Sequence, residues 1–167
     1  SDIAIRPFDP AQQVTQTTNE AIACRWMARQ VRKRLGLDRL LWPYWVWATP
    51  IDEVLGFLEL TSPSQLSSEK CAVLHLRIPE HRLLLSQFSM WECAMIGIAI
   101  PLNELEEESL GELDLDSDFR RILRTWPRMF DRVEYSSVID AYTCGNRLIQ
   151  GCVPHLASSD VVRIEQV

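Results

Sequence analysis

Residues 71–95 read CAVLHLRIPEHRLLLSQFSMWECAM, and the fold turns on how this stretch is parsed. Cys71, Val73, Leu74, Leu76 and Ile78 make an apolar run of β-favouring residues. Within it His75 and Arg77 share one parity, while Leu74, Leu76 and Ile78 share the other, the pattern of a strand with one face in a core. Pro79-Glu80-His81 stops the strand, because proline has no N–H for the ladder and pre-sets a turn. Leu83-Leu84-Leu85 resumes burial as a short strand, and Ser86 opens a polar step. Ser89-Met90-Trp91-Glu92 has the form of a capping box, which predicts a helix start. Trp91, Ala94, Met95 and Ile98 follow at helical spacing. Strand, turn, strand and helix in one run read first as a domain core and only second as a site.

Working outward, the chain has 167 residues, a length that suggests a single domain over 1–167 able to bury a core without staples. Hydrophobic residues make up 47% and charged residues 24%, which is globular rather than disordered. The net charge of −6 argues against a generic nucleic-acid coat. The five cysteines are odd in number and lack a C-x-x-C pair, so they read as reduced thiols of an intracellular, cytoplasmic protein. No apolar run approaches spanning length and the start lacks signal-peptide character, so no membrane partner is expected.

N-terminal to the central stretch, residues 3–8 form an edge-strand candidate closed by Pro7. Thr17-Thr18-Asn19-Glu20 is a second capping box, opening a helix that runs to about Leu35 and stops at Gly36. Cys24, Met27, Ala28, Val31 and Leu35 form its core-facing stripe. Ile22 and Trp26 lie roughly opposite, among Arg25, Arg29 and Lys33. There Trp26 either stacks on a base or nicotinamide ring, or lies beneath basic stems or a second layer on an ordinary face. In Trp42-Pro43-Tyr44-Trp45-Val46-Trp47 the strand starts after Pro43, with Trp45 and Trp47 on one face. These aromatics suit either a core or a stacking platform. Residues 51–68 read as two short elements broken by Gly56 and Pro63.

C-terminal to it, residues 103–118 hold eight of the 23 acids. They read as a solvated connecting segment or a patch for a basic protein partner, since a calcium loop would need glycine and glutamate at set positions. Phe119, Ile122, Leu123, Trp126 and Met129/Phe130 form a helical stripe starting near Asp116, Ser117 and Asp118 and restarted at Pro127. Residues 147–156 and 161–167 read as two closing strands. The fold class expected is α+β, with a mixed, split β-sheet flanked by helices.

The sequence holds no P-loop, no G-x-G-x-x-G, no G-x-S-x-G and no H-E-x-x-H. His75, His81 and His155 have no neighbours at metal-ligand spacing, so no metal site is expected. Several motifs in order resemble those of a bacterial family known as a domain of unknown function. They are Trp42-Pro43-x-Trp45-x-Trp47, Leu84-Leu85-Ser86-x-Phe88-x-x-Trp91, Trp126 with Phe130-Asp131, and Ile149-Gln150-Gly151 followed by Asp160-Val161-Val162. The closing pattern is more distantly similar to DarT-like ADP-ribosyltransferases. Those enzymes carry a catalytic glutamate near the position of Cys152, where this chain has no acid, which removes much of the charge that supports an oxocarbenium-like transition state.

That similarity implies an NAD-binding toxin or effector. In it Arg6 holds cofactor phosphate, Tyr44 or Trp45 stacks on nicotinamide, and Gln150 lies near the reaction centre. The missing acid motivates an alternative, a non-catalytic interaction module working through the acidic segment or the Trp26 face. RNA binding through the Trp26 helix fits the overall acidity least.

Overall fold

A computed structural model describes residues 18–61, 72–131 and 148–166 of the chain. The edge-strand candidate at 3–8 with Arg6, Thr17 of the capping box at 17–20, and the part of the 51–68 stretch beyond Thr61 lie outside the described residues. The elements are α1 (Thr18–Arg34), β1 (Tyr44–Trp47), α2 (Ile51–Thr61), β2 (Ala72–Leu76), β3 (Leu84–Gln87), α3 (Phe88–Ile96), α4 (Glu104–Leu110), α5 (Leu115–Thr125), β4 (Ile149–Val153) and β5 (Val161–Gln166). Short 3-10 turns occupy Glu80–Arg82, Trp126–Phe130 and Ser158–Asp160. The fold is α+β.

The sheet is split, as the sequence implies. One part has the order β1-β4-β3 and the other pairs β2 with β5. All three described pairings are antiparallel, so the mixture of strand directions expected is not seen among the described strands. The chain crosses from the second part to the first between β2 and β3, and back between β4 and β5. Arg82, on the first crossing, donates from Nη1 and Nη2 to Asp160 on the second at 3.0 and 2.8 Å. Arg82 Nη2 also reaches the His155 carbonyl at 3.0 Å, and Asp160 Oδ2 accepts from the Ala157 N–H at 2.8 Å. The Asp160 carbonyl takes the Arg77 N–H at 2.8 Å. Two adjoining crossings are thereby clamped by one bidentate pair.

Gly151 lies at the middle of central strand β4, opposite Val46 and Leu85. A Cβ there would stand 2.5 Å from Leu83 Cδ1 and 3.1 Å from Val46 Cγ2, so the neighbouring side chains close over bare backbone. The opposite face of this sheet carries Trp45, Leu84 and Cys152 toward α1 and α3, whose Cys24, Met27, Val31, Met90, Trp91 and Ala94 complete the buried core.

The α1 stripe of Cys24, Met27, Ala28 and Val31 is buried as its spacing requires. Gly36 at φ +66° closes the helix, with the Leu37 N–H bonded to the Arg32 carbonyl at 2.9 Å. Trp26 is not on a solvated face. It is 9% exposed, edge-on to Trp126 at 5.3 Å and stacked on Phe130 at 5.8 Å. The Trp126–Phe130 turn forms the second layer over α1, so this ring is unavailable to RNA bases. Arg34 caps the array, 4.1 Å above the Phe130 ring.

Three further expectations are corrected. The capping box at Ser89 does not form: β3 runs directly into α3, and the Phe88 N–H is satisfied by the Leu148 carbonyl at 2.9 Å, so a side-chain cap is not required there. Ser89 is instead fully buried within the helix. Residues 51–61 are one helix that continues through Gly56, not two fragments. The acidic segment is helical rather than a loose connection. Asn103 Oδ1 accepts the Glu106 N–H at 2.9 Å and Asp114 Oδ1 accepts the Asp116 N–H at 2.9 Å, which start α4 and α5.

The irregular segment after α3 is held by three side chains. Thr125 Oγ1 accepts the Ile100 N–H at 2.9 Å, Trp126 Nε1 donates to the Ile98 carbonyl at 2.9 Å, and Arg128 donates to the Ile100 carbonyl. Glu106 joins Arg128 at 2.7 Å and accepts the Leu102 N–H at 3.0 Å. That N–H first, and Arg128 second, hold the Glu106 carboxyl below its ordinary range.

Two expected outcomes follow from this architecture. Gly97 ends α3 at φ +82°, and a Cβ would lie 2.8 Å from both Asn19 Nδ2 and Leu115 Cδ2. Gly97→Ala should therefore cost about 1–2 kcal/mol or more, read as a lower urea midpoint at unchanged slope. The Arg82 hydrogen bonds, then the Ala157 N–H, hold the Asp160 carboxyl below the usual aspartate value. Its stabilisation is complete above the unfolded pKa of about 3.9 and is lost as pH falls through the depressed folded value. Thermal melts across the acid range should show Asp160→Asn less stable at neutral pH, with a flatter acid limb than the wild-type chain.

Candidate functional site

A concavity of about 270 Å³ lies between β1, β4, α1 and α3. Its lining comprises Trp45, Val46 and Trp47 from β1, Phe88, Trp91 and Met95 from α3, Cys24 from α1 and Gln150 from β4. Antiparallel register explains the gathering. Trp45 pairs with Cys152 and Trp47 with Gln150, so alternate residues of β1 and β4 present one shared face. On α3, Phe88, Trp91 and Met95 recur at helical spacing and turn toward the same face.

The rings engage in pairs across the cleft. Trp45 and Trp91 have centroids 4.7 Å apart at 34°, and Trp47 and Phe88 4.9 Å apart at 60°. Trp47 remains 36% exposed at the sheet edge, whereas Trp91 is buried. The floor carries the one amide. Gln150 is 5% exposed and donates from Nε2 to Ser86 Oγ at 3.3 Å, directly across the β3–β4 ladder.

Electrostatically the cleft is quiet. Among the described residues no carboxylate, imidazole, lysine or arginine lines it. Burial first, and Glu20 second, push the Cys24 thiol up to about 11. It is therefore protonated near neutral pH and lacks the thiolate character of a nucleophile. Cys93 is likewise pushed up to about 11, chiefly by burial, and burial raises Cys152 further. Among the described residues there is no group of three or more His, Cys, Asp or Glu side chains placed to hold a metal ion, and no helix long and apolar enough to cross a membrane.

Of the residues nominated from sequence, Trp45 and Gln150 come together in this cleft. Tyr44 does not: adjacent to Trp45 on a strand, it points to the other side of the sheet. Arg6 lies outside the described residues. Cys152, at the position where the transferase similarity would put a glutamate, is fully buried on the core side of β4. Phe88, Trp91 and Met95 were read only as motif or core residues. Their signal was present in residues 84–91, but nothing local shows that α3 packs opposite β1. No protein-family model, no curated protein and no solved structure matches this chain, so the resemblances rest on the quoted motifs alone.

Proposed function

We propose that the chain is a non-catalytic binding module whose aromatic cleft receives one flat, uncharged ring system. The lining carries this reading: four aromatic rings and a thioether around a single amide, with no ionised group among the described residues. Such walls favour stacking, worth about 1–3 kcal/mol per ring. They offer little to a reaction that develops charge, because stabilising an oxocarbenium-like centre needs fixed charges or strong dipoles at the reacting atoms. Size narrows the ligand. A volume of about 270 Å³ falls just under the range of roughly 300–1,000 Å³ typical of drug-sized ligand sites, so one ring system fits rather than a whole dinucleotide. In this reading the protein is cytoplasmic, and the exposed acids of α4 and α5, among them Glu104, Glu108 and Asp116, serve a basic protein partner.

A second reading keeps NAD as cofactor of an ADP-ribosyltransferase-like toxin or effector. What favours it is that Trp45 and Gln150 share the cleft, so the ring would be nicotinamide, with Arg6 supplying the phosphate contact.

Calorimetric titration with indole, nicotinamide and NAD separates the two. The binding module predicts saturable binding of a single-ring-system probe, weakened about tenfold or more in Trp45→Ala, with no NAD hydrolysis. NAD-dependent labelling of lysate that disappears in Gln150→Ala would move the conclusion to the transferase. Folded protein that takes up none of the three probes would remove both.

A further inference from the structure

Resting on the binding reading above, we infer that Ser86 and Gln150 make the cleft selective for a ring that carries an N–H or O–H donor on its edge. Ser86 is 2% exposed and faces Gln150 in register across β3 and β4. Its Oγ takes the Gln150 Nε2 at 3.3 Å. An amide has one donating and one accepting end. Serine takes one of the two N–H donors of Nε2, which leaves the oxygen as the strong acceptor of the lining. The rest of the lining is carbon, indole and phenyl faces, thioether and a protonated thiol. A bound ring therefore meets one strong acceptor and no charge.

The energetic consequence is asymmetric. A ring that donates to Gln150 replaces the hydrogen bond that the amide oxygen loses when water is displaced. An isosteric ring without a donor leaves that oxygen unsatisfied in an apolar surround, and unmade bonds of this kind discriminate more strongly than made ones attract. The ligand class is then a neutral aromatic with an edge donor, such as an indole or a phenol, whether free or carried on a polypeptide. Ser86 acts as a positioning residue: it touches the amide rather than the ligand and holds the amide nitrogen across the β3–β4 ladder.

Indole and benzofuran test this directly, since they match in shape and differ in a donating N–H against an accepting oxygen. Dissociation constants for both would be measured by protein-observed NMR on the full chain, with N-acetyltryptophanamide as a third probe for a polypeptide-borne ring. The wild-type protein should bind indole about tenfold more tightly than benzofuran, the ratio that one hydrogen bond of ordinary net worth supplies. Ser86→Ala should bring that ratio toward one, and Ser86→Thr, which keeps a hydroxyl, should restore it. Tryptophanamide binding as tightly as indole assigns the ring to a polypeptide; binding by indole alone assigns it to a small molecule.

Equal wild-type affinities, or a preference for benzofuran, overturn the inference while leaving the aromatic cleft intact. An undiminished ratio in Ser86→Ala overturns the role of Ser86. If neither ring binds to folded protein, the inference and the binding reading fall together. The wild-type comparison needs no variant, so it remains decisive even where Ser86→Ala fails to fold.

Discussion

A chain that leaves one sheet for another must turn away from its ladder, and each crossing strips backbone groups of their partners. Here two crossings run side by side, and the Arg82–Asp160 pair joins them. Asp160 is 5% exposed, so its charge is tolerated only because a guanidinium and a backbone N–H meet it. A two-stranded sheet such as β2–β5 is marginal alone. Coupling its entry and exit to the three-stranded sheet lets it borrow the larger core. The arrangement depends on geometry as well as charge, since both oxygens and both terminal nitrogens are engaged and a lysine could not reproduce the fork.

The second constraint is the treatment of aromatic bulk. Trp26, Trp126 and Phe130 form one array that seals α1 against the 126–130 turn. Each ring contact of this kind adds about 0.5–1.5 kcal/mol beyond area burial. Trp45, Trp47, Phe88 and Trp91 form another, but this one is left open to solvent at Trp47. The first array is packed within the core and capped by Arg34, and reads as stability. The second lines a cavity together with the Gln150 amide, and the proposed binding role rests on it. Residue type is the same in both; only the company each ring keeps separates them.

Much of the fold was legible. The strand at residues 72–76, the α1 stripe and the restart at Pro127 follow from periods and from proline's missing donor, which are local properties; the core face expected of β2 is not seen, since its residues are half-buried or exposed. Trp45 and Gln150, nominated from the sequence, both line the cleft. The capping box at Ser89 and the acidic run were less so. Ser89 fits a capping box in letters, yet the strand ladder already satisfies the first helical N–H. The acids of residues 103–118 looked like a solvated link, because the competing facts, an Asn103 cap and a Glu106–Arg128 pair, join positions whose meeting sequence spacing does not reveal.

Sequence by itself determined where helices and strands could start, which faces were apolar, and that cysteine, histidine and acid were not arranged in a recognisable metal motif. These follow from the fixed periods of helix and strand and from side-chain chemistry. Tertiary structure alone decided that Trp26 is core and that α3 faces β1 to make a cleft that includes Gln150. Those outcomes depend on long-range register between strands about a hundred residues apart, as in the pairing of Trp47 with Gln150. No local pattern encodes which of several apolar faces will meet.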